Sequence, residues 1–167
     1  FEHLSHLSFT MREARKKQRS LYVTLIDLRN AFGLVNHNLI ISTLEFHHVP
    51  PQIRDLVKHM YSNFYTAIAT DSYVTDFIRV GNGVLQGDCL SPLLFNMIIN
   101  TFIQRIKDKQ FEGLGYKFIK YLSPRHWYQF ADDAAVVTSM ESHNQILLNE
   151  FSRWCTWANM SIRIDKC

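Results

Sequence analysis

Apolar and polar residues alternate along this chain with two periods, one helical and one extended, and Pro, Gly, Asn or Asp stands at most of the breaks. Leu4, Leu7 and Met11 recur at helical spacing before a basic end made of Arg12, Arg15, Lys16, Lys17 and Arg19. Cations there suit either the negative end of a helix dipole or contact with phosphates. Residues 21–27 are almost wholly apolar and rich in β-formers, which predicts a strand buried on both faces, and the run ends in the carboxylate of Asp27. Asn36 is placed to cap a helix reaching about residue 47. Pro50 and Pro51 stop that helix and start another, in which Ile53, Leu56, Val57 and Met60 share a face.

Residues 65–70 and 73–80 read as the strands of a hairpin around Asp71 and Ser72, and a loop over 81–90 follows. Ser91 as cap and Pro92 as first helical residue open a helix through residue 106 that is apolar nearly all round its first turns, so other elements must cover it. Gly113 and Gly115 precede a strand expected over 116–121. Residues 126–137 hold two apolar runs flanking Asp132 and Asp133, the pattern of a hairpin that turns on the acidic pair. An amphipathic helix is predicted over 141–158, with Leu147, Phe151, Trp154, Cys155 and Ala158 on its inner face, and a short strand over 161–164. This order predicts an α+β fold, a small antiparallel sheet with helices packed on one face.

Composition narrows the class without naming a function. A chain of 167 residues, 47% apolar and 20% charged, is long and apolar enough to bury a core and is not expected to be disordered. Its three cysteines, Cys89, Cys155 and Cys167, lack the spacing of a disulfide framework or a zinc cluster, and an intracellular, reducing setting is expected. No apolar run approaches the roughly 20 residues that span a bilayer, and neither a secretory leader, membrane insertion nor secretion is expected. A net charge of +3 permits nucleic-acid binding without demanding it. The eight histidines show no metal-ligand spacing; His37 reads as a helix-start residue, and His126 with Trp127 as part of a packed aromatic cluster rather than a primer contact. The first residue is Phe1 rather than Met, and a piece of a longer protein is expected.

Three acids stand out because they end strongly apolar runs: Asp27, Asp132 and Asp133. Each alone is a common turn former. Together, on adjacent strands, they are oxygen ligands able to hold hard divalent cations, whose charge offsets the repulsion between neighbouring carboxylates. Phosphoryl or nucleotidyl transfer uses such a site, with two ions about 3.5–4 Å apart holding the attacking and leaving oxygens.

Four stretches carry a resemblance. TLIDLRNAFGLVNH (residues 24–37), GVLQGDCLSPLLFN (83–96), FADD (130–133) and WCTWANMSIRIDK (154–166) resemble, in order and spacing, motifs A, B, C and D of the reverse transcriptase palm, most closely in retrotransposons without long terminal repeats (the LINE type). The resemblance implies an RNA-directed DNA polymerase domain, the palm with part of the fingers at its N-terminus, with the full fingers and the thumb outside residues 1–167 and little or no activity expected of this piece alone. It implies two magnesium ions, with manganese as a substitute, held by Asp27 and Asp132 and supported or completed by Asp133. Phe32 falls at the position that excludes a ribose 2′-hydroxyl, with plain core as its other reading; Gln86 and Gly87 lie where a loop meets the template base and the incoming nucleotide. Asn96 is either a second nucleotide contact or a buried polar residue, and Lys166 matches a lysine that protonates pyrophosphate as a general acid. Implied partners are an RNA template, a DNA primer and deoxynucleoside triphosphates, in a parent protein that works in the nucleus and has room for an endonuclease domain. The chain departs from the pattern at Gly33, where many relatives have Asp, at Asp88, where Ser is commoner, and at Cys167, where Thr is usual. A second class is a domesticated palm that binds nucleic acid without catalysis, against which the three retained acids speak. A third, another palm-bearing nucleotidyl transferase or cyclase, would keep the paired carboxylates but not the 83–92 loop.

Overall fold

A computed structural model of the chain describes residues 2–85, 87–118 and 124–167. The elements run α1 (Glu2–Lys16), β1 (Tyr22–Ile26), α2 (Ala31–Leu34), α3 (His37–Phe46), α4 (Pro51–Ser62), β2 (Tyr65–Thr66), β3 (Ile78–Arg79), α5 (Ser91–Arg105), β4 (Trp127–Phe130), β5 (Asp133–Thr138) and α6 (Glu141–Ala158), with 3₁₀ turns at Lys109–Phe111 and Ile164–Lys166. They divide into two compact units, one formed by Phe1–Ala31 with Phe102–Cys167 and the other by Phe32–Thr101.

The first unit is built on a three-stranded antiparallel sheet in the order β1-β5-β4. Successive side chains of a strand leave on opposite faces, so the sheet has two cores. On one face Tyr128, Ala135 and Val137 pack with Ala14 of α1 and with Tyr116. On the other, Thr24 bonds Asn144 of α6 at 2.9 Å, and Trp127 meets Phe102 and Phe151 with ring centroids 4.7 and 5.0 Å apart. The α+β class with a small antiparallel sheet is therefore what the chain forms; α6 and the end of α5 line one face as expected, and α1 adds cover to the opposite one. Helix α6 begins and ends at the predicted residues, and all five predicted inner positions are buried.

Burial along β1 differs from expectation. Tyr22, Val23 and Leu25 are exposed because β1 lies at the sheet's edge; β5, in the centre, is the strand buried on both faces from Ala134 to Thr138. On α1 the inward residues are Thr10 and Ala14, while Leu4 and Met11 face outward. Thr10 fits that role because its hydroxyl donates to His6 O at 2.7 Å, which satisfies it inside the packing. Of the strand expected over 116–121, Tyr116 forms a single bridge with Arg125, and residues 119–121 lie outside the described residues. The predicted final strand is one bridge, Leu28 to Ile162, followed by the last 3₁₀ turn.

Glu13 ties α1 to this core: its carboxylate pairs with Lys17 and accepts the Tyr116 hydroxyl. The hydrogen bond from Lys17, and then that from Tyr116, hold the Glu13 carboxyl below its ordinary range against an opposing effect of burial. Burial, followed by the adjacent Glu13 carboxylate, pushes the Tyr116 phenol up to about 12. A carboxyl lowered in the folded state stabilises the fold above its unfolded pKa, roughly 4.3, and ceases to do so as pH falls through the lowered folded value. Glu13→Gln is therefore expected to reduce the loss of melting temperature between pH 6 and pH 3; equal losses in wild type and variant would show that the pair contributes nothing.

In the second unit, Asn36 caps α3 by accepting from Asn38 N at 2.8 Å, and Pro50-Pro51 starts α4 as predicted. The expected apolar face of α4 is only partly inward: Val57 and Tyr61 are buried, and Ile53, Leu56 and Met60 are exposed. The hairpin around Asp71 and Ser72 forms, but its ladder is confined to β2, β3 and an Ala69–Val74 bridge. Helix α5 starts at Ser91, and its cap is Asp88, whose Oδ1 accepts from Ser91 N at 2.5 Å, rather than Ser91 itself. Burial raises the Asp88 carboxyl, but the hydrogen bonds from Ser91 and Leu90 outweigh it and leave the group lowered. A carboxylate at this position also suits the positive end of the helix dipole.

Candidate active site

The acidic end of the sheet follows from strand register. Ile26 pairs with Ala134, and Phe130 pairs with Asp133, so Ala131 and Asp132 form the turn between β4 and β5. The turn thus precedes the position expected from the acidic pair by one residue, and Asp133 opens β5 instead of sharing the corner. Ala131 takes φ +50°, the left-handed region that a side chain disfavours. Gln129 braces it: its Nε2 donates to Ala131 O at 2.7 Å and to Asp133 O at 3.2 Å, while its Oε1 accepts from Trp127 Nε1 at 2.8 Å. Trp127 thereby serves both the aromatic core and the turn, in keeping with the packed cluster expected for it. His126 beside it is half-buried, and burial lowers its pKa.

Asp27 follows the last rung of the β1–β5 ladder, Ile26–Ala134, and Asp133 is the first residue of β5, so both stand at the same end of the sheet. Asp27 is held from its other side by the chain after α6: Arg163 N donates to Asp27 O at 2.8 Å, and Arg29 N donates to Ser161 O at 2.8 Å. The same segment brings two cations to the Asp27 carboxylate, Arg163 Nη1 at 3.5 Å and Lys166 Nζ at 3.8 Å from Oδ2. Arg163 was not singled out from the sequence, where nothing but the long-range return of this segment links it to Asp27. Among the described residues no side-chain hydrogen bond or ion pair engages Asp132 or Asp133. Beside them Leu25 and Phe130 are 58% and 72% exposed, and with His3, Leu4 and Leu7 they border an apolar hollow of about 140 Å³ that Asp133 also lines.

Among the described residues no group of three or more His, Cys, Asp or Glu side chains gathers as a metal cage. The donors at this end are nonetheless hard carboxylate oxygens. Magnesium commonly takes one or two carboxylates and completes its shell with water and substrate phosphates, so the donor chemistry fits that ion without a protein cage. The Arg163 and Lys166 pairs are partly exposed and hence weak, and a divalent ion can displace them.

The remaining predicted residues lie in the second unit. Phe32 stacks on Phe95 with centroids 4.5 Å apart and is half-buried, which places its ring in packing. Asn96 is exposed, which removes the buried-polar reading. Gly87 takes φ +97° with open space around its Cα, a conformation that favours glycine; Gln86 lies outside the described residues. The two motif-bearing loops run backbone against backbone: Gly83 N donates to Val35 O at 2.7 Å and Val84 N to Phe32 O at 2.9 Å. A Cβ on Gly83 would come 3.1 Å from Gly33 O, at a φ of +94°. His37, the first residue of α3 as expected, completes the junction with Nε2 3.0 Å from Gly83 O.

Residues 1–167 match the family described as reverse transcriptase (RNA-dependent DNA polymerase). Among curated proteins, the chain is 29% identical over 166 residues to a retrovirus-related Pol polyprotein from the type-1 retrotransposable element R2 of Nasonia vitripennis, covering 99% of this chain and 16% of that protein. It is 25% identical over 161 residues to the corresponding polyprotein of the type-2 element R2DM of Drosophila melanogaster, covering 96% of this chain and 15% of that protein. The chain thus spans 16% and 15% of the length of these relatives. Among solved structures, telomerase from Candida tropicalis in complex with a fragment of telomeric RNA matches with a TM-score of 0.71 at 12% identity, covering 98% of this chain and 28% of that one. Apo telomerase from Candida tropicalis matches with a TM-score of 0.68 at 14% identity, covering 98% and 31%. At such identities the likeness speaks for the fold, a polymerase palm. With the ordered motifs and the full-length family match, it leads to one conclusion: the chain belongs to the reverse transcriptase (RNA-dependent DNA polymerase) family, in the branch of retrotransposons without long terminal repeats.

Proposed function

We propose that these residues are the palm of an RNA-directed DNA polymerase that adds deoxynucleotides to a primer 3′ end by two-metal nucleotidyl transfer. The observation that supports the proposal is that Asp27 and the Ala131–Asp132 turn stand at the same end of the sheet, just past the Ile26–Ala134 and Phe130–Asp133 rungs. In the reaction the primer 3′-hydroxyl gives up its proton to water, its oxygen bonds to the α-phosphorus of the triphosphate, the bond to the bridging oxygen breaks, and pyrophosphate leaves. Asp27 and Asp132 are the residues to hold magnesium or manganese, with Asp133 in support. When bound, the ions lower the pKa of the attacking hydroxyl and offset charge on the leaving phosphates.

The protein's own groups do the rest. Arg163 fixes the backbone of Asp27 through its N–H, a positioning role, and its side chain holds the carboxylate until the ions take its place. Lys166 is the proton donor to pyrophosphate, and Phe130 with Leu25 supplies an exposed apolar surface on which the primer-terminal nucleotide rests. Phe32, fixed against Phe95, closes the space beside the sugar 2′ position, Asn96 contacts the nucleotide, and Gln86 and Gly87 meet the template without reading one base. The parent protein acts in the nucleus, with the rest of the fingers, a thumb and room for an endonuclease supplied by other parts of it.

Primer extension by the full-length protein on primed RNA with magnesium tests this. Extension with deoxynucleotides is expected; stable RNA binding without extension favours the non-catalytic reading. Phe32→Val is expected to improve use of ribonucleotides by roughly 10²-fold relative to deoxynucleotides. Unchanged sugar selection would remove the gate role from Phe32.

A further inference from the structure

Tyr65 and Tyr73 of the second unit are exposed, whereas Tyr61 on α4 is 4% exposed. Packing alone does not ask for a phenol there, because a phenylalanine ring would fill the same space. The Tyr61 ring lies on His37 with centroids 4.8 Å apart and edge-on to Phe64 at 6.5 Å. Its oxygen reaches the Ser91 hydroxyl and the Leu85 backbone, with the Asp88 carboxylate near enough to act on it. Burial pushes the phenol up, so it stays a neutral donor at physiological pH. Ser91 is 2% exposed, and among the described residues neither of the two hydroxyls makes a hydrogen bond of good geometry. Leaving both unpaired in a buried place is costly, and each is within the other's reach. The Ser91 hydroxyl is free for this, since Asp88 already caps α5.

These contacts enclose the 83–91 loop. At its entry Gly83 O lies 3.0 Å from Nε2 of His37, the ring on which Tyr61 packs, and Val84 N donates to Phe32 O at 2.9 Å. At its exit stands Ser91. One buried side chain therefore bears on both ends of the loop, through His37 at one and through its hydroxyl at the other. We propose that Tyr61 is a positioning residue: its hydroxyl, paired with that of Ser91, holds the 83–91 loop, and with it Phe32, in the pose that admits an incoming deoxynucleotide. This rests on the polymerase reading for what the loop and Phe32 meet. Tyr61 touches no reacting atom itself. Without the bond the competent pose is only a fraction of the ensemble, and apparent affinity for a ligand that needs that pose falls by that fraction.

The experiment is steady-state primer extension by the full-length protein, comparing wild type with Tyr61→Phe, Ser91→Ala and the double variant. The net worth of one hydrogen bond corresponds to about 5-fold, so each single variant is expected to raise the KM for deoxynucleotides about 5-fold with little change in kcat. The double variant should match either single one, because all three lose the same bond. Hydrogen exchange needs no activity, and the amides of residues 85–90 should exchange faster by about the same factor in every variant. A lowered melting temperature with unchanged KM and exchange overturns the proposal and leaves Tyr61 a packing residue. A raised KM in Tyr61→Phe that Ser91→Ala does not share, or losses that add in the double variant, also overturns it. Wild-type protein without extension counts against the polymerase reading alone, and the exchange rates then decide the role of Tyr61. Unchanged KM and exchange beside normal wild-type extension count against that role alone.

Discussion

Asp132→Asn is expected to reduce primer extension by the full-length protein about 10³-fold or more while leaving its thermal melting where it was. A carboxylate that holds a catalytic cation contributes several kcal/mol of transition-state charge stabilisation, and each 1.36 kcal/mol is a factor of ten in rate. The amide is nearly isosteric, and the Asp132 side chain makes no hydrogen bond or ion pair among the described residues, so the fold has little reason to respond. Asp27→Asn should act alike on extension, though it also loses its pairs with Arg163 and Lys166. Because both residues serve the same ions, the double variant should be little worse than either alone. Additive losses, or wild-type extension by Asp132→Asn, would show that the acids act separately or not at all.

The largest expected effect on stability lies away from the acids. A Cβ on Gly115 would stand 2.5 Å from both the carbonyl carbon and oxygen of Arg125, and 2.9 Å from its nitrogen. Backbone atoms cannot yield as a flexible side chain does. Tyr116, next in sequence, exchanges both backbone bonds with Arg125 at 2.9 and 3.2 Å, and its ring is buried in the α1-facing core. Gly115→Ala must push this pair apart and lift Tyr116 out of place, and a destabilisation of about 3 kcal/mol by chemical denaturation is expected. Gly81→Ala has nothing within 4 Å of the added carbon and serves as the near-neutral comparison. Equal midpoints for the two variants would mean that the 115–125 contact is not a tight one.

What the residues disclose, and what they hide, divides along physical lines. Helix α6 is legible to its ends because its apolar positions keep the helical period over the whole of Glu141–Ala158. The motif acids are legible because they end or interrupt strongly apolar runs. Burial of β1 is hidden, since whether a run such as YVTLI is central or at an edge depends on strand order, which local pattern does not encode. The turn at Ala131 and Asp132 is hidden for a related reason: register is set by pairing with β1 and by the Gln129 brace, and Ala131 gives no sign of a positive φ. Arg163 is an ordinary surface cation until folding brings it to Asp27.

Anomalous diffraction from crystals of the full-length protein grown with manganese, primed RNA template and a deoxynucleoside triphosphate tests the shared-cation account most directly. The account predicts manganese peaks within about 2.0–2.3 Å of carboxylate oxygens of both Asp27 and Asp132. Peaks bound to the triphosphate alone, with those two carboxylates unligated and Asp27 still paired to Arg163, would contradict it.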